Sequence, residues 1–64
     1  MKLAKNMILI KNSYSAAFKV SRKKATVTID YYTNTRLTHK EHLSLDKGSE
    51  QYYILLDTGY REAF

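Results

Sequence analysis

The segment of residues 25–33 (A-T-V-T-I-D-Y-Y-T) constrains the fold of this chain more than any other stretch. Apolar and polar side chains alternate along most of it, and a period of two is typical of a half-buried β-strand. Nearly all of its residues are β-branched or aromatic, the types that are enriched in strands. The segment therefore predicts a strand whose core side carries Val27, Ile29 and Tyr31, with Tyr32 facing outward.

The preceding residues 14–21 alternate in the same way and predict a second strand. Its apolar side carries Tyr14, Ala16, Phe18 and Val20. A four-residue loop over residues 21–24 pairs Val20 with Ala25, and every further pair on that face is apolar or aromatic. A helix over the same residues would leave Val20 off its apolar face, so the strand is favoured.

Residues 7–11 (M-I-L-I-K) predict another strand, which is apolar on both faces. A two-residue turn at Asn12 and Ser13 suits this position, because asparagine tolerates positive φ. The turn pairs Leu9 with Ala16, so three strands share one buried face without adjustment. The second apolar face of the first strand predicts a contact with another copy of the chain, as in a homodimer.

Residues 37–45 follow a turn and are compatible with two structures. As a strand they bring His39 and Glu41 to the core side, together with the leucines Leu37, Leu43 and Leu45. As a helix they begin with a T-x-x-E capping box at Thr38 and Glu41 and end at Gly48. The strand is favoured, because such a helix would have only a thin apolar face.

The last third of the chain predicts one more strand between two turns. A turn at residues 46–49 precedes residues 50–57 (E-Q-Y-Y-I-L-L-D), and a second turn follows at residues 57–59. The more apolar face of this strand carries Tyr52, Ile54 and Leu56, which leaves Tyr53 facing outward. We expect Tyr60 and Phe64 to close one end of the core.

Together these segments predict a single small domain over residues 1–64. The expected fold is all-β, a small antiparallel meander of about five strands that forms an SH3-like or OB-like barrel. The alternative is an α+β domain with one short helix near residues 38–46. A chain of 64 residues buries only about 60% of its unfolded surface, and it has no cysteine with which to add a disulfide.

The charges are distributed very unevenly along the chain. Residues 1–24 carry seven basic side chains and no acidic one, whereas residues 25–64 carry four basic and six acidic side chains. The seven are Lys2, Lys5, Lys11, Lys19, Arg22, Lys23 and Lys24. An acid-free basic segment predicts a polyanionic partner.

A non-enzymatic nucleic-acid-binding module is the function that this pattern favours, with DNA or RNA as the partner. The residues expected to meet the nucleic acid are Lys11, Lys19, Arg22, Lys23, Lys24 and Tyr32. The lysines and the arginine would contact phosphates, and three of them would sit at the tip of a hairpin. An exposed tyrosine beside them could stack on a base.

Two other functions use the same residues differently. The basic loop and the exposed tyrosines would also serve a protein-interaction module or inhibitor, of the type found as phage or mobile-element accessory proteins, that docks on an acidic partner. His39 and His42 would be the acid–base groups of a ribonuclease-type toxin. We expect no cofactor and no metal site, since a third ligand beside the histidines is not evident.

The chain is expected to be cytoplasmic and to have no contact with a membrane. It contains no apolar run near the roughly 20 residues that span a bilayer. The apolar stretch at residues 7–10 is also shorter than the roughly 7–15 residues of a signal-peptide core.

Overall fold

A computed structural model describes residues 5–63 of the chain. The elements are β1 (Asn6–Lys11), β2 (Tyr14–Ser21), β3 (Thr26–Thr33), β4 (Arg36–Ser44), α1 (Leu45–Asp57) and β5 (Arg61–Glu62). The strands form one antiparallel sheet in the order β4-β3-β2-β1-β5. The expectation of a small β-rich fold with a five-stranded antiparallel sheet is confirmed.

The sheet is open, with β4 and β5 as its two edges, instead of closing into a barrel. Helix α1 covers one face of the sheet, so the apolar side chains on that face are buried without strand closure. The fold thus combines the expected meander with the single short helix of the α+β alternative. Among the described residues no helix is long and apolar enough to span a membrane.

The buried core lies between the sheet and the helix. Its members are Met7, Leu9, Ala16, Phe18, Val20, Val27, Ile29, Tyr52 and Leu55. Seven of the nine come from the three strands whose shared apolar face the sequence predicts. Tyr52 of the helix meets Phe18 edge to face, with ring centroids 5.5 Å apart, and this contact joins the two layers.

The β1–β2 hairpin has the predicted register, whereas the β2–β3 hairpin is shifted. Leu9 pairs with Ala16 as expected. Val20 pairs with Val27 and not with Ala25, because Ala25 lies in the loop with φ 53°. The loop begins and ends one residue later than predicted, which moves the pairing by two residues. Since side chains alternate with a period of two, the same residues still face the core.

Strand β4 confirms the strand that was favoured for residues 37–45, but Leu37 lies on the face opposite to the predicted one. The preceding turn has two residues, and a bulge at Thr38 leaves Tyr31 opposite His39 and Tyr32 opposite Leu37. The extra residue reverses the alternation beyond it. The prediction that Leu37 faces the core is therefore wrong, and its side chain is 48% exposed.

Helix α1 occupies Leu45–Asp57, so the predicted strand over residues 50–57 is wrong. The alternative helix near residues 38–46 is also misplaced, because most of that range is strand β4. The helix begins where Ser44 accepts a hydrogen bond from the backbone N–H of Lys47 at 3.3 Å. A serine at the N-cap satisfies one of the free N–H groups of the first turn.

The helix is also specified by an apolar stripe that includes a glycine. The residues at successive turns are Leu45, Gly48, Tyr52 and Leu55, and the last three are buried. A Cβ at Gly48 would lie 2.5 Å from Val27 Cγ2, so the glycine lets the helix approach β3 closely. Gly48 is therefore a packing residue inside the helix and neither a turn nor a helix end.

The helix ends in a hydrogen-bonded turn that leads into β5. The N–H groups of Gly59 and Tyr60 donate to the carbonyls of Leu56 and Leu55, a Schellman motif in which Gly59 has φ 108°. Tyr60 packs against the core as expected. Phe64 lies outside the described residues.

Candidate nucleic-acid interface

The predicted cationic residues lie at two opposite ends of the sheet. Lys11 ends β1 beside the first turn, whereas Arg22, Lys23 and Lys24 form the loop at the far end of β2. The eight residues of β2 separate these ends by roughly 25 Å at about 3.3 Å per residue. Lys11 Nζ donates a hydrogen bond to the Thr58 carbonyl at 2.6 Å, which places it on the C-terminus of the helix.

A basic pocket lies beside the β2–β3 loop. Its volume is about 410 Å³, and the residues that line it are Lys5, Val20, Ser21, Arg22 and Lys23. The N–H of Val20 donates to the Lys5 carbonyl at 2.9 Å, so the backbone of Lys5 is attached to β2. Three cationic side chains from two separate segments therefore border one concavity, which we call the basic pocket.

Lys5 lines the pocket, although the sequence did not predict it as a residue that meets the nucleic acid. The sequence signal for it was present, because Lys5 belongs to the acid-free segment. Its proximity to Arg22, seventeen residues later, depends on the β1–β2 pairing and on the hydrogen bond from the Val20 N–H to the Lys5 carbonyl.

The loop that carries the cations is held by its own hydrogen bonds. The backbone N–H of Lys24 donates to Ser21 Oγ at 3.3 Å, and that of Ala25 donates to the Arg22 carbonyl at 3.2 Å. Lys23 and Lys24 are exposed. The loop is therefore an ordered turn that presents basic side chains to solvent.

Lys19 and Tyr32 both lie on the face of the sheet that the helix does not cover, which we call the outer face. Lys19 pairs with Thr28, and Tyr32 pairs with Ser15. Four residues of β3 separate the two positions, or roughly 13 Å. Lys19 thus adjoins the basic pocket, whereas Tyr32 lies toward the other end of the sheet.

The outer face has one acidic residue among the described strands, and it is buried. Asp30 is 6% exposed, and Lys40 Nζ lies 3.8 Å from its Oδ1. Oδ1 accepts no hydrogen bond within the part of the chain that the structure describes. An anion on this face would therefore meet Lys19 and the pocket without an exposed strand carboxylate.

Two further carboxylates are bound by tyrosines on the helix side of the sheet. Tyr52 donates a hydrogen bond to Glu62, and Tyr31 donates one to Glu41 at 2.9 Å. Burial, and then the hydrogen bond to Glu62, raise the pKa of Tyr52 to about 12. Burial and Glu41 raise the pKa of Tyr31 as well. These phenols stay protonated at neutral pH and act as structural donors.

The two histidines lie on opposite faces of β4. His39 stacks on Tyr31 with ring centroids 5.6 Å apart, and His42 Nδ1 lies 3.2 Å from Thr28 Oγ1 on the outer face. They cannot share a substrate atom or a metal ion in this arrangement. Within residues 5–63 no group of three or more His, Asp or Glu side chains could hold a metal.

No protein-family model, no curated protein and no solved structure matches this chain.

Proposed function

We propose that this chain is a non-enzymatic module that binds nucleic acid through phosphate contacts at the basic pocket. The observation that carries the proposal is the meeting of Lys5, Arg22 and Lys23 around one concavity. Lys19 extends this positive surface onto the outer face. Phosphate oxygens are the ligands that clustered lysine and arginine side chains bind in nucleic acids.

Lys24 and Lys11 are expected to contribute differently to phosphate binding. Lys24 is exposed in the same loop and would meet a phosphate beside the pocket. Lys11 would contribute less, because its Nζ is bound to the Thr58 carbonyl at the other end of the sheet. We place the chain in the cytoplasm, where nucleic acid is accessible and a cysteine-free protein is compatible with the reducing conditions.

The proposal is tested by fluorescence anisotropy with labelled oligonucleotides at several salt concentrations. Each neutralised phosphate contributes about −0.7 to the slope of log K against log salt for single strands and about −0.9 for duplexes. Five cations at the pocket end, Lys5, Lys19, Arg22, Lys23 and Lys24, would give a slope of about −3.5 to −4.5.

A double variant, Arg22→Gln with Lys23→Gln, is expected to make that slope shallower by about 1.5 to 2. Arg36→Gln is the matched control, because Arg36 is exposed at the opposite end of the sheet. The proposal is wrong if no oligonucleotide binds at about 50 mM salt, where electrostatic binding is strong.

A protein-interaction module that docks on an acidic protein is the second candidate function. It is favoured by Ile8 and Ile10, which are 45% and 43% exposed on the same face as Lys19. Apolar anchors with a cationic rim are typical of such interfaces. A pull-down that retains one acidic partner after nuclease treatment would support this function over nucleic-acid binding.

A further inference from the structure

The sizes of the outward side chains imply a shallow groove along β2 on the outer face of the sheet. The outward residues of β2 in this region are Ser15 and Ala17, which are small. Their neighbours across the strands are larger: Ile10 and Tyr32 flank Ser15, and Ile8 and the buried Asp30 flank Ala17. A row of small side chains between rows of larger ones leaves a depression with walls at Ile8, Ile10 and Tyr32, and the Asp30 carboxylate beside Ala17 lies 3.8 Å from Lys40 Nζ.

The groove leads directly to the positive end of the molecule. The next outward residues of β2 are Lys19 and Ser21, and Ser21 lines the basic pocket. At the other end, Arg61 of β5 pairs with Ile10. The groove with its apolar walls therefore leads, along β2, to cationic side chains at the end of the same β-strand.

We infer that this groove, which we call the β2 groove, receives a single strand of DNA or RNA. Bases would lie against Ile8, Ile10 and Tyr32, and the backbone would run toward Lys19 and the basic pocket. The inference rests on the proposed function and specifies the form of its partner. Stacking on aromatic rings next to a positively charged track is the usual way in which proteins hold single strands.

A duplex would fit this surface poorly. Its bases are paired and stacked inside the helix, so their faces cannot reach the floor at Ser15 and Ala17. A duplex could still bind at the basic pocket, because that contact requires only phosphates. The β2 groove therefore predicts a preference for single strands that the pocket alone does not predict.

Charge argues against a second copy of the chain as the occupant. Within the described strands the outer face carries Lys19, Lys40 and Arg61, and the one acidic residue there, Asp30, is buried beside Lys40. Two such faces in contact would bring like charges together, which disfavours association. A polyanion with exposed flat rings complements both the charge and the apolar walls.

The experiment compares labelled dT12 and U12 with a 12-base-pair duplex by fluorescence anisotropy. Tyr32→Ser, which removes one wall, and Ala17→Leu, which fills the floor, are each expected to weaken single-strand binding about tenfold. Neither variant should change duplex binding or the salt slope. Tyr32→Phe keeps the ring and should restore affinity.

Tyr14→Ser is the matched control, because Tyr14 is 49% exposed and belongs to the alternate set of β2 residues that faces the helix side. It should leave single-strand binding unchanged. Circular dichroism melting of each variant establishes that the fold is retained before affinities are compared.

The outcomes separate this inference from the proposed function. Equal binding of single strands and duplex, insensitive to Tyr32→Ser and Ala17→Leu, would overturn the β2 groove and leave the phosphate contacts standing. Single-strand binding that is lost in Tyr32→Ser but unchanged in the Arg22→Gln, Lys23→Gln double variant would overturn the phosphate contacts at the basic pocket and leave the β2 groove standing. A dimer by light scattering that Ala17→Leu dissociates, without nucleic-acid binding, would assign the groove to a second copy and overturn the inference.

Discussion

Replacing Gly48 by alanine is expected to destabilise the protein, although alanine is the better helix former. In an exposed helix the change would stabilise by about 1 kcal/mol. Here the new Cβ would lie 2.5 Å, 2.6 Å and 3.0 Å from the three side-chain carbons of Val27. Val27 is fully buried and β-branched, so it cannot rotate away, and the helix must move outward instead.

That movement would loosen the packing of Tyr52 and Leu55, which are nearly fully buried on the same helix face. Overpacking costs about 1–3 kcal/mol, and contacts as short as 2.5 Å put this site in the upper part of that range, above the propensity gain. We expect a net loss of about 1–2 kcal/mol, and about 4–8 °C in Tm for each kcal/mol in a domain of this size. Urea unfolding and thermal melting both measure it.

A double-mutant cycle with Val27→Ala isolates the cause. Val27→Ala removes the two methyl carbons at 2.5 Å and 3.0 Å but keeps the Cβ at 2.6 Å, so Gly48→Ala should cost less in that background than in the wild type without becoming free of cost. The coupling energy between the two positions should then be about 0.5–1.5 kcal/mol. A single Gly48→Ala variant that melts at or above the wild-type temperature would refute the reasoning.

Three further predictions concern the backbone, the helix end and pH. Ala25→Gly should raise the free energy of unfolding by about 1 kcal/mol, because Ala25 has φ 53°, where a Cβ is strained; an unchanged urea midpoint would contradict this. Lys11→Met keeps the aliphatic stem but removes the hydrogen bond to the Thr58 carbonyl, so thermal melting should show a loss of about 0.5–1 kcal/mol that high salt diminishes. Burial and the hydrogen bond to Glu62 raise the pKa of Tyr52 to about 12 in the folded chain, against about 10 in the unfolded chain, so the contribution to stability is complete below pH 10 and is lost as the pH rises to 12. Stability should fall by about 1.4 kcal/mol per pH unit for this tyrosine alone, and melting curves that are superimposable between pH 9 and 11.5 would exclude it.

The sheet could be predicted because the alternation of core-facing and outward side chains is unchanged when a turn is misplaced by one residue at each end. The β2–β3 loop was placed one residue too early, yet Val20, Val27 and Ile29 face the core as expected. A two-residue shift in pairing preserves every side-chain direction. The bulge at Thr38 is different, because one unpaired residue reverses the faces, and no local pattern marks it.

The helix was missed because Tyr52, Tyr53 and Ile54, at its centre, are residue types that favour strands. Residues 52–56 (Y-Y-I-L-L) are aromatic and apolar without a break, and a helix and a buried strand share that appearance over a short run. Gly48 suggested a turn from the sequence. Its role in helix packing is visible only in the structure, where Val27 lies against it. Ser44 at the N-cap and Thr58-Gly59 at the C-terminus were the local signals that could have identified the helix.

The ligand proposed for the outer face rests on the sequence and the structure together. The sequence shows a first strand that is apolar on both faces and a basic segment without acids. The structure shows that the helix covers only one of those faces and that Ile8 and Ile10 remain exposed on the other. Exposed apolar side chains and exposed cations usually have separate partners, but here Ile8 and Ile10 of β1 lie on the same face as Lys19 of β2. A single ligand that is both flat and anionic would contact both kinds of side chain, and this is why we propose a nucleic-acid strand over a purely acidic or a purely apolar partner.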